Sequence, residues 1–239
     1  MKKSRNKAFL LKVATNAVLG VLVLSVGALC LYPLDETTYT SGDGAEIYRK
    51  AAGDGVGVSL MFNVYWGTDE VYQILDILDE YEAKSTFFIG GCWADDNVQC
   101  LKEIAARGHE IGNHGYFHKE HDKLSEAANR EEILRCNQFI SLAIGTAPQL
   151  FAPPSGAYSD ATLSATARLQ MKTVLWTKDT IDWRDKDASL VYTRATQGVE
   201  AGALILMHPM EHTVKALPDI LKEYKRRGLS AITVGENLC

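Results

Sequence analysis

Gly108-His109-Glu110-Ile111-Gly112-Asn113-His114-Gly115-Tyr116-Phe117-His118 reads as a short strand that stops abruptly in chemistry. Glu110 to Asn113 is a brief β-type run, and the glycines around it are turn signals. His114 stands just past the strand's end, and His118 follows four residues later. Two neutral imidazoles at that spacing can share one divalent metal. The same spacing is common on helix faces that bind nothing, so the pair acquires meaning only from its surroundings.

Those surroundings alternate. Val56 to Val64, Ser85 to Gly90, Leu150 to Ala152, Lys172 to Trp176, Ala203 to Met207 and Ala231 to Val234 read as further strands. Between them Asp69 to Tyr81, Asn97 to Arg107, Ser125 to Ile144, Asp160 to Leu169, Ala188 to Val199 and Val214 to Arg227 carry helical spacing. Repeated βα units predict parallel strands wrapped by helices, an α/β sheet or barrel. In either form chemistry collects at the C-terminal strand ends, and His114, Ala152, Asp179, Asp182 and His208 all lie at or just past one. Periodicity does not distinguish a barrel from a doubly wound sheet.

The net charge of −5, with no long basic run beyond the N-terminus, argues against a nucleic-acid partner. Residues 1–12 form a basic flank expected to stay cytoplasmic, and the apolar run 13–32 is about the ~20 residues that span hydrocarbon. The expectation is a membrane anchor holding the remainder outside the cytoplasm, or a secreted product if the segment is cleaved. Residues 33–55 read as a polar linker and 56–239 as one catalytic domain. Cys30, Cys92, Cys100, Cys136 and Cys239 contain no C-x-x-C pair, so a zinc knuckle is not suggested. Cys92 and Cys100 are left open between a bridge and apolar thiols.

The phrase GHEIGNHGYFH resembles the second signature of the polysaccharide deacetylases, the NodB-homology group or carbohydrate esterase family 4. Further landmarks follow in that family's order. Phe151-Ala152-Pro153-Pro154-Ser155-Gly156-Ala157-Tyr158 resembles its R-P-P-x-G groove wall, with Ala152 where Arg is usual. Asp179-Thr180-Ile181-Asp182-Trp183 is similar to D-x-x-D-W, and Leu204-Ile205-Leu206-Met207-His208-Pro209 to the general-acid motif. The resemblance implies a distorted, incomplete (β/α) barrel. It departs most at Met61-Phe62-Asn63-Val64-Tyr65-Trp66-Gly67, where the family form T-F-D-D-G supplies a base Asp and a metal-binding Asp. Asn63 accepts no proton, Val64 binds no metal, and the Arg that orients the base is missing at Ala152.

The resemblance implies hydrolysis of an acetamide on N-acetylated cell-wall glycan, with peptidoglycan the expected substrate. His114 and His118 would hold a divalent ion, zinc first, with cobalt, manganese or nickel as alternatives. Asp69 is the candidate third ligand, although after Thr68 as N-cap both Asp69 and Glu70 also suit the dipole of a helix start. His208, its tautomer fixed by Asp182, would protonate the leaving amine. Trp183, Pro154, Tyr158 and Trp66 would line the sugar groove. Two alternatives stand beside this reading: a glycan-binding pseudoenzyme that has lost its base, and a hydrolase of a smaller amide.

Overall fold

The computed structural model describes residues 46–51 and 55–239. The basic flank, the apolar run and most of the linker lie outside the described residues. No described helix is long and apolar enough to cross a membrane.

Among the described residues eight parallel strands make one sheet: β1 Ile47–Tyr48, β2 Ser59–Val64, β3 Thr86–Ile89, β4 Glu110–Asn113, β5 Leu150–Phe151, β6 Lys172–Val174, β7 Lys178–Asp179 and β8 Leu204–Met207. Their order is β1-β6-β5-β4-β3-β2-β8-β7. The sheet curls without closing, a parallel half-barrel in which no ladder among the described residues joins the edge strands β1 and β7. The chain between β6 and β7 spans that gap, where Leu175 N donates to Tyr48 O and Thr177 N to Leu204 O, both at 2.8 Å. β1 falls within the stretch read as linker; at two residues it is too short to show a period.

Side-chain alternation along each strand separates two cores. Leu60, Phe62 and Val64 of β2 point outward with Phe87 and Ile89 of β3, under the helices α1 Thr68–Glu80, α2 Gly91–Asp96, α3 Val98–Ala106 and α4 Glu126–Ile144. Residues Met61, Phe88, Ala152, Val174 and Leu206 point inward and fill the half-barrel. Val64, fully buried in the outer core, is therefore on the opposite face from Asn63. The remaining helices are α5 Asp160–Arg168, α6 Asp182–Asp185, α7 Ala188–Thr196, α8 Glu211–Arg226 and α9 Val234–Asn237.

The last predicted strand is not one. Ala231 makes a single bridge to Val58, and Val234 already opens α9. Thr233 and Glu236 form a capping box there, a T-x-x-E signal that outweighs three apolar residues. Val234 then plugs the N-terminal end of the half-barrel, where Glu110 accepts from Gly235 N at 2.9 Å.

His109 is buried against the Phe87 ring edge, 5.4 Å between centroids, and neither ring nitrogen has a partner among the described residues. Burial pushes its pKa down to about 4. Unfolded, it titrates near ~6.5, so as pH falls from there the unfolded chain takes a proton that the native chain refuses. Stability from this group is therefore present above ~6.5 and lost toward 4. His109→Phe is expected to flatten the acid side of a Tm-against-pH curve; an unchanged slope would refute this assignment.

Candidate functional site

The inward positions of adjacent strands converge at the C-terminal end on a cleft of about 290 Å³. Asn63 comes from β2, His114 from just past β4, Trp176 from past β6, Asp179 from β7, and Leu206 and His208 from the end of β8. These are the residues that continue the inner face where each strand runs out, so strand register assembles the site.

The loops that finish the cleft are strained. His118, Ser155 and Ile181 have φ of 53°, 55° and 53°, a region that costs a non-glycine residue on the order of 1–3 kcal/mol. Buried polar anchors hold them there. Asn113 Nδ2 donates to Ile133 O at 2.8 Å while its Oδ1 accepts from Gly115 N at 2.7 Å. The buried Glu132 carboxylate accepts from Phe117 N at 2.9 Å and pairs with Lys119 at 2.8 Å, clamping the chain on both sides of His118. Glu132 looked like one more polar helix residue in the sequence, which carried no signal for this role.

His114 donates from Nδ1 to Ala152 O at 2.7 Å, which fixes its tautomer and leaves Nε2 as a lone-pair donor. Its pKa is lowered to about 3 by complete burial, reinforced by His118 nearby. His118 is lowered too, chiefly by burial, and the two rings lie 5.0 Å apart. The pair thus presents two neutral imidazoles. A third ligand does not join them. Asp69 is exposed in the first turn of α1 and lies outside the cleft lining. Among the described residues no three His, Cys, Asp or Glu side chains gather around a metal position.

The reason lies in the β2–α1 turn. Gly67, not Thr68, caps α1, with φ 76°, and a Cβ there would fall 2.3 Å from Pro209 O. Thr68 Oγ1 instead donates to Asn97 Oδ1 at 2.8 Å and accepts from Trp93 Nε1 at 3.1 Å. Asp69 is thereby committed to the helix start, where a carboxylate suits the dipole. The donor set does not fit a firmly resident dication of the expected His-His-Asp kind.

The other half of the site is complete. His208 Nδ1 donates to Asp182 Oδ1 at 2.7 Å. The same fully buried carboxylate accepts from Trp183 N at 2.9 Å, His208 N at 2.7 Å and Thr213 Oγ1 at 2.7 Å. His212 reaches the Asp182 carbonyl through Nε2. Thr213 and His212 escaped the sequence reading because they sit in the opening turn of α8, which begins at Glu211, three residues before its predicted start at Val214. Trp66 stacks parallel to the His208 ring at 5.9 Å, and its indole N–H is turned to Met210 Sδ at 3.3 Å.

Trp66 and Trp183 line the cleft as expected, but Pro154 and Tyr158 do not. The left-handed Ser155 swings its own side chain into the lining and leaves Pro154 buried beneath. Trp176, missed in the sequence, lies over Gly156, where a Cβ would come within 2.7 Å of the indole. Cys92, Cys100 and Cys136 are free thiols. Ala152 is fully buried, and no Lys or Arg stands among the cleft-lining residues.

A family model for polysaccharide deacetylases matches residues 50–174. The chain belongs to the polysaccharide deacetylase family. Among its relatives in that family, an uncharacterized Bacillus subtilis protein, YlxY, is 41% identical over 179 residues, 75% of this chain and 56% of that one. A Bacillus cereus peptidoglycan-N-acetylglucosamine deacetylase is 32% identical over 180 residues, 72% of this chain and 84% of its own. The fold also matches a carbohydrate esterase family 4 pseudoenzyme from Bacillus anthracis with TM-score 0.80 and 31% identity, covering 82% of this chain and 70% of that one. A mutant of that pseudoenzyme is described as having restored enzymatic activity. The matched region is thus little more than half the length of YlxY.

Proposed function

We propose that this polysaccharide deacetylase family member grips cell-wall glycan in the tryptophan-lined cleft while its hydrolytic step is disabled at the base. One observation carries the reading. Asn63 occupies the inner end of β2, 4% exposed, with an Oδ1 that has no hydrogen-bond partner among the described residues. The family resemblance puts the proton-accepting Asp at this position, and a neutral amide cannot do that work. Loss of a general base typically costs ~10² to 10⁴ in rate. Trp66 and Trp183, both exposed at the rim, supply faces on which a sugar ring can stack. The pseudoenzyme relative supports the same reading.

The test pairs binding with turnover. N-acetylglucosamine and glucosamine oligomers are titrated into the full chain, and acetate release from the former is followed. Binding is expected without measurable release, and Trp183→Ala should weaken binding by about tenfold, the order of one lost stacking contact. Tight binding that survives Trp183→Ala would remove the cleft as the glycan site.

A second reading, residual deacetylation, is favoured by the intact His208–Asp182 pair and the two neutral imidazoles. In that reading His208, held by Asp182, would carry a proton to the departing amine. Stoichiometric zinc, lost in His118→Ala, together with acetate release would establish it. Membrane attachment through residues 13–32, with the cleft outside the cytoplasm, belongs to the same proposal and is tested by fractionation after residues 1–32 are deleted.

A further inference from the structure

The cleft holds one carboxylate, and nothing in the described structure answers it. Asp179 is the inward residue of β7, in register with Leu206, and lines the cleft beside Trp183 and Trp176. Its Oδ1 accepts from Ile181 N at 2.7 Å; its Oδ2 has no hydrogen-bond partner and the carboxylate forms no ion pair among the described residues. Burial raises its pKa, outweighing the Ile181 hydrogen bond and the more distant influence of His208 and Arg194. Nearby cations are committed elsewhere: Arg184 and Arg194 both hold Asp185, and Arg194 also donates to Thr180 O at 2.8 Å.

Two further atoms at the cleft are acceptors as well. Asn63 Oδ1 is a buried acceptor without a donor. His114 has used its one proton on Ala152 O, so the Nε2 it presents is an acceptor. An acetamide meets these acceptors with a single N–H and adds a carbonyl acceptor of its own. A protonated amine offers three N–H donors and a positive charge, and indole faces attract cations as well as sugar rings.

Resting on the glycan reading above, we propose that the preferred ligand is the de-N-acetylated sugar, an amino-sugar residue bound as its ammonium by Asp179 and Asn63 within the Trp66, Trp176 and Trp183 walls. The chain then recognises what active deacetylases leave behind. The same vacancy that removes the base turns the cleft from one that acts on the acetyl group into one that reads its absence.

The test compares β-1,4-linked tetramers of glucosamine and of N-acetylglucosamine, titrated calorimetrically into the full chain at about pH 6, below the ordinary range of an α-amine, with chelator present. The glucosamine tetramer is expected to bind at least about tenfold more tightly. Asp179→Asn keeps an oxygen for Ile181 N–H and barely alters the surface charge, so the ratio of the two affinities should fall close to one. Because a cationic sugar also meets an acidic protein non-specifically, this variant is the control for that contribution. Equal or tighter binding of the N-acetylated tetramer, or a preference that survives Asp179→Asn in a variant with parental Tm, overturns the inference and leaves the glycan reading standing. If neither tetramer binds, both fall.

Discussion

A double variant, Asn63→Asp with Ala152→Arg, is expected to release acetate from N-acetylglucosamine oligomers at least about a hundredfold faster than the parent, with zinc supplied. Asn63 already sits where a base has to sit, inward on β2 and facing the cleft that His114 and His208 share. What it lacks is a lone pair that can take and keep a proton. Asn63→Asp alone should gain little, because a carboxyl at a position so nearly sealed from solvent is held protonated unless a cation accompanies it. Ala152, an inward residue just past the end of β5, is where an arginine could provide that charge. The restored relative from Bacillus anthracis gives the experiment a precedent in the same fold. A double variant that folds, binds oligomers and still releases no acetate would show that the base is not what the cleft is missing.

The largest effect on stability is expected at Asp182. Its carboxylate takes four hydrogen bonds, two from His208 just past β8, one from α8 and one from its own helix α6, with no exposure to solvent. Asp182→Ala leaves the His208 ring nitrogen, two backbone N–H groups and the Thr213 hydroxyl without their acceptor. Breaking a buried charged network by removing one partner costs about 3–5 kcal/mol, which for a domain of this size lowers Tm by roughly 10 °C. His208→Ala, by contrast, should cost much less, since its backbone N–H keeps its acceptor. Chemical denaturation of the two variants decides the matter, and a loss below about 1 kcal/mol in Asp182→Ala would dismiss the structural role.

Much of this was written in local sequence. The β2, β3 and β8 runs are apolar enough to mark buried parallel strands, and the strand-end position of His208 follows from that alone, whereas β4, Glu110-Ile111-Gly112-Asn113, is marked by the glycine turn signals around it. What stayed hidden depends on backbone turns and distant partners. Asp69 looked available as a ligand because an acid after Thr68 reads the same whether a helix start points toward a cleft or away from it. Pro154 and Tyr158 looked like walls because sequence does not reveal that Ser155 adopts a left-handed conformation. Trp176 was overlooked as a cleft residue, and Asp179, though placed at a strand end, was given no role there, since they follow or belong to strands of three and two residues, too short for alternation to show a face.

The wiring of Asp182 bears on how such sequences are interpreted at all. A carboxylate that staples a strand end to a helix start is retained by the demand for a folded chain, whether or not any bond is being cut. An unbroken D-x-x-D-W therefore testifies to an architecture under upkeep, and the vote on turnover belongs to the few side chains, such as Asn63, that the fold does not need.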